Sequence, residues 1–212
     1  GKKGLIGVEI GVFEADHALS LLENLDIKKL YLVDPYEMYD DYDEGNKHYG
    51  VDQSPLNKAK EIAHKKLELY SDKIIWIEKY SNDAVVDIPS NLDFVYIDGN
   101  HQEEYVYIDI ANYIKKIQGG VIGGHDFYNG FQRDHDGVIK AVTKYSFENI
   151  NFNFDHQRDE TSIKNANFYY KKLRFSSNQI IITTDTNGKK LITGEIRNQK
   201  ATINSNVFKS LF

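Results

Sequence analysis

Apolar residues fall into short runs separated by helical stripes, and the alternation is regular from Leu5 to about Leu173. Leu5–Ile10 is an apolar run that stops at Gly11, the mark of a parallel strand buried on both faces. Ala18, Leu21, Leu22 and Leu25 then recur at helical spacing over Asp16–Leu25. Leu30–Val33 predicts a second strand ending at Asp34-Pro35. Pro55–Tyr70 predicts a second helix, carried by Leu56, Ala59, Ile62, Ala63, Leu67 and Leu69. Ile74–Ile77, Phe94–Ile97 and Gly120–Ile122 predict three more strands. Between them fall a short helix near Asp83–Val86 and a longer one whose stripe is Val106, Ile110, Ile114 and Ile117. Val138–Tyr145 reads as a helix, and Asn151–Phe154 and Asn167–Lys172 as two last strands. Such alternation means βαβ units, hence an α/β fold built on a doubly wound, mostly parallel, seven-stranded sheet. The closing pair, joined only by a loop, predicts an antiparallel strand at the sheet's edge.

Two stretches break the rhythm. Tyr36–Ser54 is rich in Tyr, Asp and Gly without periodicity, and reads as a functional loop or lid. After Leu173, Ile180–Thr184 and Leu191–Ile196 flank a Thr-Asn-Gly turn and predict a β-hairpin. A polar tail follows, ending in Val207, Phe208, Leu211 and Phe212. We therefore expect a main domain over residues 1–173 and a C-terminal hairpin and tail over 174–212 appended to it.

Composition narrows the classes. A chain of 212 residues with 41% hydrophobic content suits one packed α/β domain with a small appendage. The net charge of −6 and the lack of a long basic run argue against a nucleic-acid partner. Without cysteine there is no disulfide, thiolate metal site or thiol nucleophile. No apolar stretch reaches the ~18–20 residues that span a bilayer, and no secretory-type leader is seen. A cytoplasmic protein with no membrane partner is expected, with homo-oligomerisation left open. The chain opens on Gly1 rather than Met, which suggests a trimmed start.

Three segments carry the candidate chemistry: GLIGVEIGVFEAD (Gly4–Asp16), FVYIDGNH (Phe94–His101) and GGVIGGHDF (Gly119–Phe127). Each places polar groups at the carboxyl end of a predicted strand, where open α/β sheets bind ligands. Gly11 permits close backbone approach, Glu9 can accept hydrogen bonds, and Asp34 ends the second strand where a carboxylate commonly binds ribose. The dinucleotide fingerprint wants three glycines, whereas this turn has Gly11 followed by Glu14 and Ala15. A pyrophosphate would also meet Glu9 and Glu14. A nucleoside without phosphates fits better than NAD.

VEIGVFEAD, LVDPY, YSNDA (Tyr80–Ala84), FVYIDGNH and GGVIGGHDF stand in the order and spacing of class I S-adenosylmethionine-dependent methyltransferases, which the chain resembles from about Leu5 to Leu173. More narrowly it is similar to the branch with sugar O-methyltransferases of the macrocin and mycinamicin type. The resemblance implies a Rossmann-like fold, with Glu9 and Gly11 at the methionine side of S-adenosylmethionine and Asp34 at its ribose. It places Ser81 and Asp83 near the adenine and Asp98 in the cofactor site as well as at the reaction centre. It further implies a divalent cation, Mg or Mn, at Asp98, His125 and Asp126, and His101 as general base beside Asp98. Two departures stand out. Ala15 replaces a frequent glycine, and His125 replaces an acidic ligand, which opens the site to Mn, Fe or Zn.

The implied reaction is O-methylation of a small-molecule hydroxyl, most plausibly on a sugar. Alternatives are an N-methyltransferase of the same fold, a non-catalytic nucleoside-binding or scaffold module, and a nicotinamide-dependent oxidoreductase. The segment IDGNH stands where amino-methylating DNA enzymes carry an Asn/Asp-Pro-Pro-aromatic motif, so that class is disfavoured. Arg133, His135 and the aromatics of Tyr36–Tyr42 are further candidates to touch the acceptor.

Overall fold

The structure is a computed structural model that describes residues 2–38, 53–127, 136–149, 151–152, 154–158, 166–171, 182–184 and 190–192. Five parallel strands form the frame: β1 (Leu5–Ile10), β2 (Ile27–Val33), β3 (Ile74–Ile77), β4 (Leu92–Ile97) and β5 (Ile117–Gly124). They lie in the order β3-β2-β1-β4-β5, so the winding direction reverses between β1 and β4. That reversal opens a crevice at the carboxyl edge, the position where such sheets bind ligands. Beyond β5, β7 (Ala166–Lys171) pairs antiparallel with it, and β6 (Asp155–Arg158) pairs antiparallel with β7.

Period-2 alternation along the strands feeds two cores. Leu5, Leu30, Leu32 and Phe94 face α1 (Asp16–Asn24) and α2 (Gln53–Lys66), burying Ala18, Leu21, Leu22, Ala59 and Ala63. Val8, Ile10, Val33, Val95 and Ile97 face the other way, toward α3 (Ser81–Ala84), α4 (Glu103–Tyr113) and α5 (Gly137–Glu148). A sheet covered on both faces explains why its strands read as continuous apolar runs. The Rossmann-like α/β expectation is met in this parallel sheet.

Several boundaries differ from the sequence reading. Ile117 does not close the helical stripe; α4 ends at Tyr113, one 3-10 turn covers Ile114–Lys116, and Ile117 opens β5. The fifth strand, expected over Gly120–Ile122, is longer at both ends, and Gly120 lies inside it. Glycine is required there, since a Cβ on Gly120 would stand 2.1 Å from the Asp93 carbonyl oxygen on the neighbouring strand. Asn151, Phe152 and Phe154 of the expected strand are not in strand conformation. Phe152 is held in a turn by its N–H on Asn149 O (2.8 Å) and is buried against Tyr145. The strand begins at Asp155, in a fully polar segment with no hydrophobic signal.

In the C-terminal part, β8 (Ile182–Thr184) and β9 (Lys190–Ile192) pair antiparallel with Thr183 opposite Leu191. Residues 39–52 of the expected lid, Arg133, His135 and the terminal tail lie outside the described residues. Among those described, no helix is long and apolar enough to cross a membrane.

Candidate active site at the carboxyl edge of the sheet

The sheet's hydrogen-bond ladder runs one residue past the strand ends, and those extra rungs align the predicted residues. Gly11 N–H donates to Val33 O (2.9 Å), Asp34 N–H to Ile77 O (3.2 Å), Asp98 N–H to Ile10 O (2.7 Å) and His125 N–H to Ile97 O (3.0 Å). Four residues remote in sequence thus stand in a row along one edge. Gly11 has φ +81°, and a Cβ there would fall 2.1 Å from the Asp98 carbonyl oxygen. The two halves of the site touch through backbone at this point.

Strain collects at the same edge. Phe13, Ala15, Tyr36 and Asp126 are the non-glycine residues with positive φ among those described, at 47°, 61°, 49° and 55°. Each costs on the order of 1 kcal/mol and persists only where its surroundings hold it. Ala15, the N-cap of α1, is left-handed, which accounts for the preference for glycine at this position in the resembling sequences.

Asp34 is what holds the first turn. Its Oδ2 accepts the N–H groups of Val12 and Phe13, both at 2.9 Å, and its Oδ1 accepts that of Tyr36 at 2.8 Å. Tyr36 is buried and donates its hydroxyl to Phe13 O (2.9 Å). The carboxylate expected to clamp a ribose is therefore also a staple across the β1–α1 and β2 turns.

Of the three buried carboxylates among the described residues, Asp93 is satisfied by Lys2 and by the N–H of Ile6. Glu9 is not: it is 1% exposed, and its Oε2 has no hydrogen-bond partner. Its Oε1 lies 3.3 Å from His17 Nδ1, and the His17 ring stacks on Tyr96 at 3.9 Å between centroids. Burial pushes the Glu9 carboxyl above its ordinary range, against the pull of His17. An orphaned buried carboxylate oxygen beside the Gly11 cradle suits a ligand ammonium group. The sequence reading missed His17 and Tyr96. The available signal was register, since Tyr96 stands directly opposite Glu9 on the neighbouring strand.

On the β4–β5 side, four side chains converge. His101 Nε2 lies 3.4 Å from Asp98 Oδ1 and 3.1 Å from Asp126 Oδ2. His125 Nδ1 lies 3.6 Å from Asp98 Oδ1 and 2.9 Å from Asp126 Oδ1. All four are partly exposed, and Asp98, His101 and His125 line a shallow depression together with Val106 and Val138. Burial opposes charge on His101, but the facing carboxylates of Asp126 and Asp98 outweigh it and raise its pKa to about 9. His125 is raised by Asp126 and Asp98 against burial, and Asp126 is held well below the usual carboxylate range by the two histidines despite its own burial. The two carboxylates thus favour the protonated imidazole of His101.

A family model described as a methyltransferase domain matches residues 6–127, from β1 through the end of the cluster. The chain belongs to this methyltransferase family. Its fold is that of the class I S-adenosylmethionine-dependent methyltransferases. A Streptococcus mutans protein described as a candidate methyltransferase, solved in complex with SAH, superposes with TM-score 0.57 at 14% identity over 81% of this chain and 90% of its own. An rRNA methylase from Streptococcus thermophilus gives TM-score 0.54 at 11% identity, covering 81% and 89%. Spermidine synthase from Thermotoga maritima gives 0.54 at 13%, covering 99% and 65%. These likenesses concern the fold alone. An uncharacterized protein of Acanthamoeba polyphaga mimivirus is 27% identical over 148 residues, 68% of this chain but only 60% of that relative's length.

Ser81 and Asp83, expected near an adenine, sit on α3 after β3, beside the row rather than in it. Ser81 O accepts the hydroxyl of buried Tyr113 (2.8 Å), and Asp83 is exposed. Behind Ser81 lies Asp109 of α4, 2% exposed with an unpartnered Oδ1. Burial raises its pKa to about 7, against a hydrogen bond from Ser81. The native state thus keeps a proton that the unfolded chain loses from pH 3.8 upward. Stability carried by this group is complete below that pH and falls as pH rises toward about 7. The loss is on the order of 2–4 kcal/mol. Asp109→Asn should abolish this contribution, so that in urea melts the variant gains on wild type between pH 5 and pH 8. A constant difference across that range would refute the assignment.

Proposed function

We propose that this methyltransferase uses S-adenosylmethionine to methylate a hydroxyl of a small molecule, a sugar or glycosylated compound being the favoured class. The reading rests above all on the row of Gly11, Asp34, Asp98 and His125, which sets the Gly11 turn beside a polar, partly exposed cluster. When bound, S-adenosylmethionine supplies a sulfonium-activated methyl group, and a divalent cation supplies positive charge that acidifies a hydroxyl.

The chain's own residues do the rest. Glu9 receives the ligand's ammonium group on its unpartnered oxygen. Gly11 lets the backbone approach, and Asp34 keeps the turn in place with one Oδ1 lone pair left for a ribose hydroxyl. Ser81 and Asp83 flank the adenine. Asp98, His125 and Asp126 hold the cation, and Asp98 faces the acceptor oxygen. Nucleophile and methyl carbon need only be aligned at about 3–3.5 Å. His101, which the resemblance makes the general base, could take the acceptor's proton only after losing its own.

Residues 1–173 form the cofactor-binding unit in this reading, and 174–212 an appendage to it. The net charge of −6 favours a neutral or cationic acceptor over a polyanion, although the fold also serves rRNA methylases. Calorimetry should give one micromolar site for S-adenosylmethionine and none for NAD. Transfer of labelled methyl groups should reach a saccharide panel and not RNA. Absence of cofactor binding to folded protein would end the reading; label on RNA alone would overturn the acceptor class.

A further inference from the structure

We infer that His101 is a fourth cation ligand, so that the site is a two-histidine, two-aspartate centre suited to a first-row transition metal such as Mn, Fe, Co or Zn rather than to Mg. The inference rests on the reading above only in that a cation binds beside Asp98. It changes which residues hold the cation and which cation they select.

Geometry carries it. Asp98, His101 and His125 bring ligand atoms within 4.8 Å of one another, and Asp126 stands between the two imidazoles, one oxygen toward each. Asp98 Oδ1 stands 3.4 Å from His101 Nε2 and 3.6 Å from His125 Nδ1, while Asp126 meets the same two nitrogens with separate oxygens, Oδ2 at 3.1 Å and Oδ1 at 2.9 Å. Donors bonded to one metal at 2.0–2.1 Å lie about 2.9 Å apart at octahedral right angles and about 3.3 Å apart in a tetrahedron. The observed edges bracket both values.

Two further observations separate this from ordinary ion pairing. His101 Nε2 is buried and has no hydrogen bond of good geometry among the described residues, although two carboxylates stand within 3.4 Å. A nitrogen aimed between acceptors rather than at one of them is placed for a shared central atom. Asp126 also adopts φ +55°, a strained choice for a non-glycine residue, and the turn presents one oxygen to each histidine. Donor chemistry then selects the ion. Magnesium is served by oxygen ligands and water, whereas imidazole suits zinc, iron and their neighbours.

The test uses chelator-treated full chain. Co(II) titration should give one site with visible absorption of nitrogen coordination, and proton NMR should show two hyperfine-shifted imidazole N–H signals in unmodified protein. Calorimetry should rank Co, Mn and Zn at least about 100-fold above Mg. His101→Ala should weaken Co(II) by about 100-fold, the scale on which metal sites answer such changes, while S-adenosylmethionine affinity stays within threefold. One shifted N–H signal, or unchanged Co(II) affinity in His101→Ala, would remove His101 from the ligand set. Equal affinity for Mg and Co would overturn the selectivity. No cation binding alongside normal S-adenosylmethionine binding would end this inference and leave the methyl-donor reading standing. Loss of both in folded protein would end that reading as well.

Discussion

Gly11→Ala is expected to destabilise the protein by about 3 kcal/mol or more and to abolish S-adenosylmethionine binding. Two costs combine. The residue sits at φ +81°, where an L side chain is strained by roughly 1–2 kcal/mol. The added methyl would also stand 2.1 Å from the carbonyl oxygen of Asp98 and 2.4 Å from its carbon. Backbone cannot yield as a flexible side chain does, so β1 and β4 must part at the crevice they define. Gly99→Ala is the matched control, because its Cβ would meet Ile10 Cγ2 at 3.5 Å and the backbone Gly11 N and Ile10 O at 3.9 Å, all ordinary contacts. Urea unfolding and cofactor calorimetry on both variants should show a large loss in the first and less than about 1 kcal/mol in the second. Equal, small effects would mean that the strand ends are not in contact as described.

That contact between remote glycine and aspartate backbones shows what was legible in the chain and what was not. Leu5–Ile10, Ile74–Ile77 and Asp16 onward were readable because both-face burial and helical stripes leave plain hydrophobic patterns. The polar β6 segment and the glycines inside β5 carry no such pattern; their strand geometry comes from pairing with neighbours. The same division holds at the site. Motif order brought Asp34, Asp98, His125 and Asp126 to one edge, since each follows a strand, and Glu9 with them through its place beside the Gly11 turn. His17, Tyr96 and Asp109 sit inside elements, where sequence periodicity marks them only as a face. Their meaning depends on what packs opposite. Asp34 was foreseen as a ligand group, but three backbone N–H groups occupy it, and no one-dimensional pattern announces a staple.

Asp34→Ala should therefore do two things at once, and the pairing is the prediction. Removing the carboxylate leaves the N–H groups of Val12, Phe13 and Tyr36 without their acceptor. Hydrogen bonds to a charged group contribute about 1.5–3 kcal/mol each, less when shared and partly solvated, so a loss of about 2–4 kcal/mol is expected. Phe13 and Tyr36, at positive φ, should then relax, and the cradle around Gly11 should loosen. S-adenosylmethionine affinity should fall by about 100-fold, equivalent to ~2.7 kcal/mol. Asp34→Asn should not rescue either property. Its amide presents one acceptor oxygen and an NH₂ group that would confront N–H donors. A pure ribose ligand behaves differently: both variants would lose affinity while keeping wild-type urea midpoints, and amide exchange at Val12 and Phe13 would be unchanged. Faster exchange at those two amides, with lower stability and weaker binding together, is the signature of a group that serves the cofactor by holding the turn that meets it.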